Sequence, residues 1–259
     1  MKKITIKTIL NKKNKSPITC LSAYSKSISQ IADKYCDIIL VGDSLGNVLY
    51  GMKTTKEVKI EIMMLHCKTV KQFSKRCLVV CDMPYRTYLN KHDAYKNALK
   101  LINVTKCDAV KLEGGKNIVS IVRHLTSKGI PVMGHIGLLP QTSNDFKVKG
   151  KSSMQKKKIL NDAIAISNAG AFSIVLECIV EELAKTITKN ITVPTIGIGS
   201  SKYCDGQILV IDDLLGLSDF YPRFVKKYAN LKKITELAIK SYVKDVKLKK
   251  FPSYKNAYR

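Results

Sequence analysis

The chain has 259 residues, of which 45% are hydrophobic and 25% charged, a composition typical of a globular protein and not of a disordered or fibrous one. Its formal net charge is +25, because 45 lysines and arginines outnumber 20 aspartates and glutamates. These values exclude a small disulfide-stapled scaffold and a chain of membrane spans, and they leave a basic nucleic-acid-binding protein to be tested against the motifs.

Eight short apolar runs predict buried parallel strands. They lie at 17–23, 37–43, 77–84, 108–115, 130–137, 172–178, 192–200 and 206–213. Between them, apolar residues recur at helical spacing at 25–35, 92–105, 116–129, 155–170 and 180–190. This alternation predicts an α/β fold, a single (β/α)8 TIM barrel over residues 1–259 with a short N-terminal extension. A doubly wound open sheet is the alternative.

Charged side chains stand where several of these runs end, and in a barrel the carboxyl ends of the strands meet at one rim. The second run ends at Asp43 and Ser44, the third near Asp82 and the fourth near Glu113. Carboxylate oxygens are the ligands that hard divalent cations prefer. The pattern predicts a metal site at Asp43, Asp82 and Glu113. The alternative is that each acid only caps its own strand.

Lys111 and Glu113 lie two residues apart on one predicted strand, so their side chains point to the same side. A cation and a carboxylate inside a barrel are expected as partners of each other or as parts of a site. Such a pair can hold a substrate carboxylate beside a metal ion. A buried structural ion pair is the alternative.

Two further residues at strand ends are candidates. Glu177 ends the apolar sixth run, which suits a general base that takes a proton from carbon. A metal ligand or a salt-bridge partner is an equal alternative for this residue. His135 stands in "GHIG", where the glycines allow close backbone approach. His135 is a candidate for contacting the metal ligands or a bound molecule. The alternative is a histidine that is only part of the core.

The remaining features bear on partners and location. The lysine excess is spread along the chain without an arginine-rich stripe, so we expect no nucleic-acid partner. Eight cysteines without a CxxC pair predict free thiols in a reducing compartment. The sequence shows no secretory signal and no apolar stretch long enough to span a bilayer, so we expect a cytoplasmic protein with no membrane partner.

Nine segments along almost the whole chain carry a more specific pattern. They are VGDSLGNVLYG (41–51), CDMPY (81–85), AVKLEGG (109–115), VMGHIGLLPQ (132–141), VLEC (175–178), IGIGS (196–200), DGQILV (205–210), DLLG (213–216) and PRFVKKYANL (222–231). In this order and spacing they resemble the ketopantoate hydroxymethyltransferase (3-methyl-2-oxobutanoate hydroxymethyltransferase) family.

The resemblance implies a (β/α)8 barrel that binds Mg²⁺ and assembles as a homodecamer. It also implies transfer of a hydroxymethyl group from 5,10-methylenetetrahydrofolate to 3-methyl-2-oxobutanoate, which gives 2-dehydropantoate and tetrahydrofolate in the first step of pantothenate synthesis. The implied partners are therefore a small 2-oxo acid and a reduced folate. The roles implied for matching positions are metal-site acids (Asp43, Asp82, Glu113), keto-acid contacts (Asp43, Ser44, Asp82, Lys111) and a proton acceptor (Glu177).

Of the places where the sequence departs from the family pattern, two follow segments that carry proposed site residues or lead to them. After Gln141 the segment TSNDFKVKG (142–150) is shorter than the family's glycine-rich loop, which leaves the folate affinity open. Tyr85 and Arg86 stand where the family often has Phe-Gly. Neither departure removes a proposed catalytic group.

A Mg²⁺-dependent lyase of the isocitrate-lyase and phosphoenolpyruvate-mutase type is a rival prediction, because it shares the barrel and acts on carboxylated 2-oxo acids. Those families usually carry a nucleophile motif similar to KKCGH, which this sequence lacks. The transferase is therefore the predicted function.

Overall fold

The computed structural model describes residues 2–143, 145 and 147–258. The chain divides into two compact units, Met1–Val210 and Ile211–Arg259. The assignment of residues 1–259 to one domain stays a prediction. Asn144 and Phe146, which belong to the shortened segment after Gln141, lie outside the described residues.

The first unit contains a closed barrel of eight parallel strands in sequence order. The strands are β1 (Ile18–Ser22), β2 (Ile38–Val41), β3 (Leu78–Asp82), β4 (Ala109–Glu113), β5 (Val132–Gly137), β6 (Ser173–Glu177), β7 (Thr195–Ile198) and β8 (Gly206–Leu209). Each lies inside one of the eight predicted runs, and β8 pairs with β1. The predicted barrel is therefore confirmed and the open sheet is excluded.

Eight helices accompany these strands in the described part of the first unit. They are α1 (Ile6–Leu10), α2 (Lys26–Tyr35), α3 (Leu45–Tyr50), α4 (Ile60–Phe73), α5 (Lys91–Thr105), α6 (Val119–Ser127), α7 (Ser153–Asn168) and α8 (Glu181–Asn190). The short α1 precedes the barrel as the N-terminal extension. The sequence pattern did not single out α4, although it buries Met63, Cys67 and Val70 at helical spacing.

The link from β7 to β8 differs from the predicted alternation, because the seven residues 199–205 contain no helix. The two strands are only four residues long. A chain that advances about 3.3 Å per residue can retrace so short a strand without a helical crossover.

Alternate residues of the strands fill the barrel interior. The apolar part of this interior includes Ile38, Leu40, Leu78, Val80, Ala109, Met133, Val175, Ile196 and Ile208. Because the side-chain period of a strand is two, the next inward positions toward the carboxyl ends carry polar groups. These positions are Asp82, Lys111, Glu113, His135 and Glu177. The alternation of inward and outward side chains that builds the core thus also places the charged residues at one rim.

The second unit contains α9 (Ile211–Leu215) and α10 (Leu231–Lys247). No residue of α10 is buried, although the helix carries Ile234, Ile239, Tyr242 and Val246 on one side. Across the described residues of both units, no helix combines the length and the apolar character needed to cross a membrane.

Candidate active site

Strand register brings the predicted site residues side by side. Asp82 on β3 pairs with Lys111 on β4, and Glu113 pairs with His135 on β5. Glu177 on β6 pairs with Gly137. Asp43 lies two residues after the end of β2, and Ser44 precedes the first residue of α3. All the sequence-predicted site residues therefore lie at the carboxyl ends of five consecutive strands.

A buried ion pair joins β3 to β4. The ammonium nitrogen of Lys111 is 2.8 Å from Oδ1 of Asp82, and both side chains are at most 5% exposed. Burial alone would lower the pKa of Lys111, but three surrounding carboxylates, led by Asp82, outweigh it and hold the pKa above its usual value. The lysine is therefore a permanent positive charge inside the barrel.

Ionisation of the Asp43 carboxyl is disfavoured at the rim. Burial is the main cause that raises the pKa of its carboxyl to about 8, and the charges of Asp82 and Glu113 add to the effect. The backbone N–H of Asp43 donates to Oδ2 of Asp82 at 3.1 Å, which fixes the two acids next to each other. A positive charge placed beside Asp43 would favour its ionised form.

His135 lies between two carboxylates. Its Nδ1 is 3.3 Å from Oε1 of Glu113, and its Nε2 is 3.2 Å from Oε2 of Glu177. Neither contact has the alignment of a good hydrogen bond. Burial and Lys111 lower the pKa of His135, but the two glutamates outweigh them and raise it to about 9. The histidine is thus a cation at neutral pH and links the proposed base to a proposed metal-site acid.

The charge on His135 also controls Glu113. Burial would raise the pKa of Glu113, but the neighbouring imidazolium, with Lys111 and the backbone N–H of Gln141, lowers it below its usual value. Glu113 is therefore ionised, and its Oε2 accepts the Gln141 N–H at 3.0 Å.

Gln141 and Tyr88 belong to this network, and neither was predicted as a site residue. Gln141 Nε2 donates to Oδ2 of Asp43 at 2.7 Å and to the carbonyl oxygen of Met83 at 3.0 Å. The hydroxyl of Tyr88 donates to Oε1 of Gln141. The motif containing Gln141 was recognised in the sequence, but its side-chain role carries no periodic signal because the residue follows β5 in a loop.

Ser44 is held from the opposite side of the rim. Its hydroxyl lies 2.7 Å from the hydroxyl of the buried Tyr24, which follows β1. The backbone carbonyl of Tyr24 in turn contacts Nδ1 of His66 at 2.7 Å. These contacts tie the start of α3 to α4 and to the end of β1, so the position of the Ser44 hydroxyl is set by three elements.

The donor chemistry at the rim fits a hard divalent cation. Asp43, Asp82 and Glu113 supply carboxylate oxygens, and Oδ1 of Asp82 has no well-aligned hydrogen bond from any described residue. Among the described residues, however, no three His, Cys, Asp or Glu side chains are arranged as a metal site. The carboxylates instead engage Gln141 and Lys111. These side chains would therefore have to rotate to bind an ion, but the types of ligand that the ion prefers are already present.

Comparison with known proteins identifies the family. A family model described as ketopantoate hydroxymethyltransferase matches residues 3–254 of the chain. The chain belongs to the ketopantoate hydroxymethyltransferase family. The predicted resemblance is confirmed, and so is the prediction of an enzyme of the hydroxymethyltransferase class.

Relatives with this activity in their names align over nearly their full lengths. A 3-methyl-2-oxobutanoate hydroxymethyltransferase from Pelagibacter ubique is 52% identical over 97% of this chain and 99% of its own length. The enzyme named 3-methyl-2-oxobutanoate hydroxymethyltransferase 2 from Zymomonas mobilis is 47% identical, covering 100% of this chain and 96% of its own. One from Anaplasma marginale is 46% identical, with coverage of 98% and 93%.

Solved structures with low identity share the fold. Phosphonopyruvate hydrolase in complex with oxalate and Mg²⁺ superposes with a TM-score of 0.64 at 9% identity, covering 99% of this chain and 93% of that one. The 2,3-dimethylmalate lyase, a member of the PEP mutase/isocitrate lyase superfamily, gives 0.63 at 13% identity, with 96% and 85% coverage. At these identities the likeness concerns the barrel fold alone.

Proposed function

We propose that the chain transfers a hydroxymethyl group from 5,10-methylenetetrahydrofolate to 3-methyl-2-oxobutanoate, giving 2-dehydropantoate and tetrahydrofolate in the first step of pantothenate synthesis. The observation that carries the proposal is the convergence of Asp43, Asp82, Lys111, Glu113, His135 and Glu177 at one rim in a member of this family. The arrangement supplies anionic ligands, a fixed cation and a carboxylate base within one network.

Asp43, Asp82 and Glu113 are the residues that would hold Mg²⁺. Their carboxylates crowd one region of the rim, and the charges of Asp82 and Glu113 add to the burial that raises the pKa of Asp43. A bound Mg²⁺ would supply Lewis-acid stabilisation of negative charge on the keto oxygen of the substrate.

Lys111 and Ser44 are suited to bind and orient the keto acid. The Lys111 ammonium has a charge to offer the substrate carboxylate in addition to its partner Asp82. The Ser44 hydroxyl, fixed by Tyr24, can donate a hydrogen bond to a substrate oxygen. Together they would fix the orientation of the acid, so that its C3 faces one side of the rim.

Glu177 is the proposed base for the C3 proton. Its side chain is 18% exposed, more than the other rim acids, so a substrate can reach it. The imidazolium of His135 stands beside Oε2 and restrains the carboxylate, which leaves Oε1 to accept the proton. The carbanionic C3 would form a bond to the methylene carbon carried by the reduced folate, and both carbon–nitrogen bonds of that carbon would break. Water would supply the hydroxyl oxygen of the product, and the C3 proton and one proton of the water would go to the two folate nitrogens.

We also propose a cytoplasmic homo-oligomer, a homodecamer as the resemblance implies. All eight cysteines are free, which suits a reducing compartment. The apolar side of α10 exposes Ile234, Ile239 and Tyr242 at more than half of their surface. Contiguous apolar surface of this kind is typical of a subunit interface.

The direct test is product formation by the purified full-length protein. We expect 2-dehydropantoate, detected by mass spectrometry, when the keto acid, 5,10-methylenetetrahydrofolate and Mg²⁺ are all present. Removal of divalent ions with EDTA should abolish it, and added Mg²⁺ should restore it. Cleavage of a carbon–carbon bond in a 2-oxo acid substrate without folate, and no transfer, would instead favour a lyase.

A further inference from the structure

Gln141 reaches from the loop after β5 into the rim, where it contacts residues at the carboxyl ends of β2, β3 and β4. Its side chain is 1% exposed. One amide hydrogen goes to Oδ2 of Asp43 at 2.7 Å and the other to the carbonyl oxygen of Met83 at 3.0 Å. Its backbone N–H meets Oε2 of Glu113 at 3.0 Å. A carboxamide has two N–H donors, so both are used.

Tyr88 determines which way the Gln141 amide points. The Tyr88 hydroxyl accepts the backbone N–H of Glu113 at 3.3 Å and donates to Oε1 of Gln141. A flipped amide would set Oε1 against the carbonyl oxygen of Met83, and against the carboxylate of Asp43 in the ionised form that would bind a cation, where no hydrogen is available to share. The tyrosine thus leaves the amide with one satisfied orientation.

We propose that Tyr88 and Gln141 form a positioning pair that fixes the Asp43 carboxylate for a divalent ion. With Oδ2 held by the amide, the carboxylate cannot rotate freely, and Oδ1 keeps one direction at the rim. Neither residue has to touch the substrate, and each acts through Asp43 or Glu113. This inference rests on the proposed function, because it takes the ion at Asp43 as given.

The pair predicts a specific pattern of ion affinities. Binding of Mn²⁺, used as a Mg²⁺ substitute, is measured without substrate from the electron paramagnetic resonance signal of the free ion. Gln141→Ala should raise the Mn²⁺ dissociation constant about 10- to 100-fold, the usual effect of removing a residue that orients a metal ligand. Tyr88→Phe, which deletes one hydroxyl, should raise it by a smaller factor.

The double variant of Tyr88→Phe and Gln141→Ala distinguishes two residues that act together from two residues that act independently. If both residues act through the one amide, Tyr88→Phe should add almost nothing in the Gln141→Ala background. Ser143→Ala is the matched control on the same loop, because the Ser143 hydroxyl contacts Asp145 instead of the rim. It should leave the Mn²⁺ affinity unchanged. In the single variants, high Mg²⁺ should restore exchange of the substrate C3 proton.

Three outcomes have distinct meanings. Wild-type affinity in Tyr88→Phe and Gln141→Ala overturns the positioning pair while leaving the proposed function intact. An equally large effect of Tyr88→Phe in both backgrounds also overturns it. Absence of Mn²⁺ binding by the wild-type protein overturns the proposed function and this inference with it. Thermal unfolding monitors folding, and if Gln141→Ala does not fold, the affinity of Tyr88→Phe decides.

Discussion

Lys111 is a buried cation whose contribution to stability depends on its ion pair with Asp82. Removing it in Lys111→Met leaves the carboxylate of Asp82 buried without a counter-charge. We expect the free energy of unfolding to fall by about 3–5 kcal/mol in chelator-treated buffer, as for other broken buried pairs. Urea titration followed by circular dichroism measures this loss.

The partner variant tests the cause of that loss. Adding Asp82→Asn to Lys111→Met removes the uncompensated charge, so the double variant should be more stable than Lys111→Met alone. Lys100→Met is the control, because Lys100 pairs with Glu61 at 3.7 Å on the surface and is worth less than about 1 kcal/mol. A double variant less stable than the single one would refute the electrostatic explanation.

Asp33 predicts a pH-dependent contribution to stability away from the rim. Burial opposes its ionisation, but backbone N–H donors of Cys77, Lys75 and Arg76 outweigh it and lower its pKa. Asp33→Asn should therefore cost about 1–2 kcal/mol at neutral pH, a value reduced by partial solvent exposure. The lost stability belongs to the ionised form, which donors from the three residues before β3 stabilise.

The sign of that dependence follows from the lowered pKa. The Asp33 contribution is complete above the unfolded-state pKa of about 3.9 and disappears as the pH falls through the lower folded-state value. Urea midpoints of the wild type and Asp33→Asn should begin to converge as the pH falls below about 5 and should meet only below the lowered folded-state pKa of Asp33. Glu236→Gln, a surface change, should show no such convergence. A difference that stays constant with pH would contradict the assignment.

At the residue scale, the placement of the charged residues at one rim could be predicted from the sequence, but the amides and hydroxyls that contact them could not. Lys111 and Glu113 share a face because of the strand period, and that period is visible in the sequence. The contacts of Gln141 with Asp43 and with Tyr88 span 98 and 53 residues. Such contacts form only when loops meet in the folded structure, so no local sequence pattern predicts them.

At the scale of the strand, Gly137 sets how closely β5 approaches β6. Its φ is +99°, and a Cβ there would stand 2.3 Å from the backbone oxygen of Glu177. Gly137→Ala should therefore destabilise the barrel, displace Glu177 and slow C3 proton exchange by about tenfold or more. The exchange rate is measured by NMR in deuterated water, and stability by thermal unfolding.

Gly129 provides the matched control for that prediction. Its φ is also positive, at +79°, but a Cβ there would meet nothing within 4 Å. Gly129→Ala should cost only the strain of the left-handed backbone, about 1–2 kcal/mol, and leave the exchange rate unchanged. Equal effects of both variants on exchange would show that the approach to Glu177 does not matter.

The strands were more predictable than the links between them. All eight strands lie within apolar runs, because a strand buried on both faces must be almost continuously apolar. The sequence pattern did not predict the helix α4, and the link 199–205 contains no helix. The length of a link depends on how far the chain must return along a short strand, which periodicity does not reveal.

At the scale of the whole molecule, the exposed side of α10 bears on assembly. Ile239 is 57% exposed and lies midway along the length of α10. Ile239→Lys should weaken subunit association and lower the mass measured by size exclusion with light scattering. Lys240→Ala, on the polar side, should leave the mass unchanged. A wild-type protein that is monomeric at assay concentration would refute the proposed oligomer.

In the proposed function, the Mg²⁺ held by the rim acids, with Lys111 and Ser44, binds the keto acid so that Glu177 takes its C3 proton. Loss of that proton is observable without folate. The decisive measurement is the rate at which 3-methyl-2-oxobutanoate exchanges its C3 proton in deuterated water with Mg²⁺, followed by NMR. We predict exchange by the wild type and by the surface control Glu181→Gln, and a loss of about 10²–10⁴-fold in Glu177→Gln. Exchange by Glu177→Gln at the wild-type rate would contradict the account.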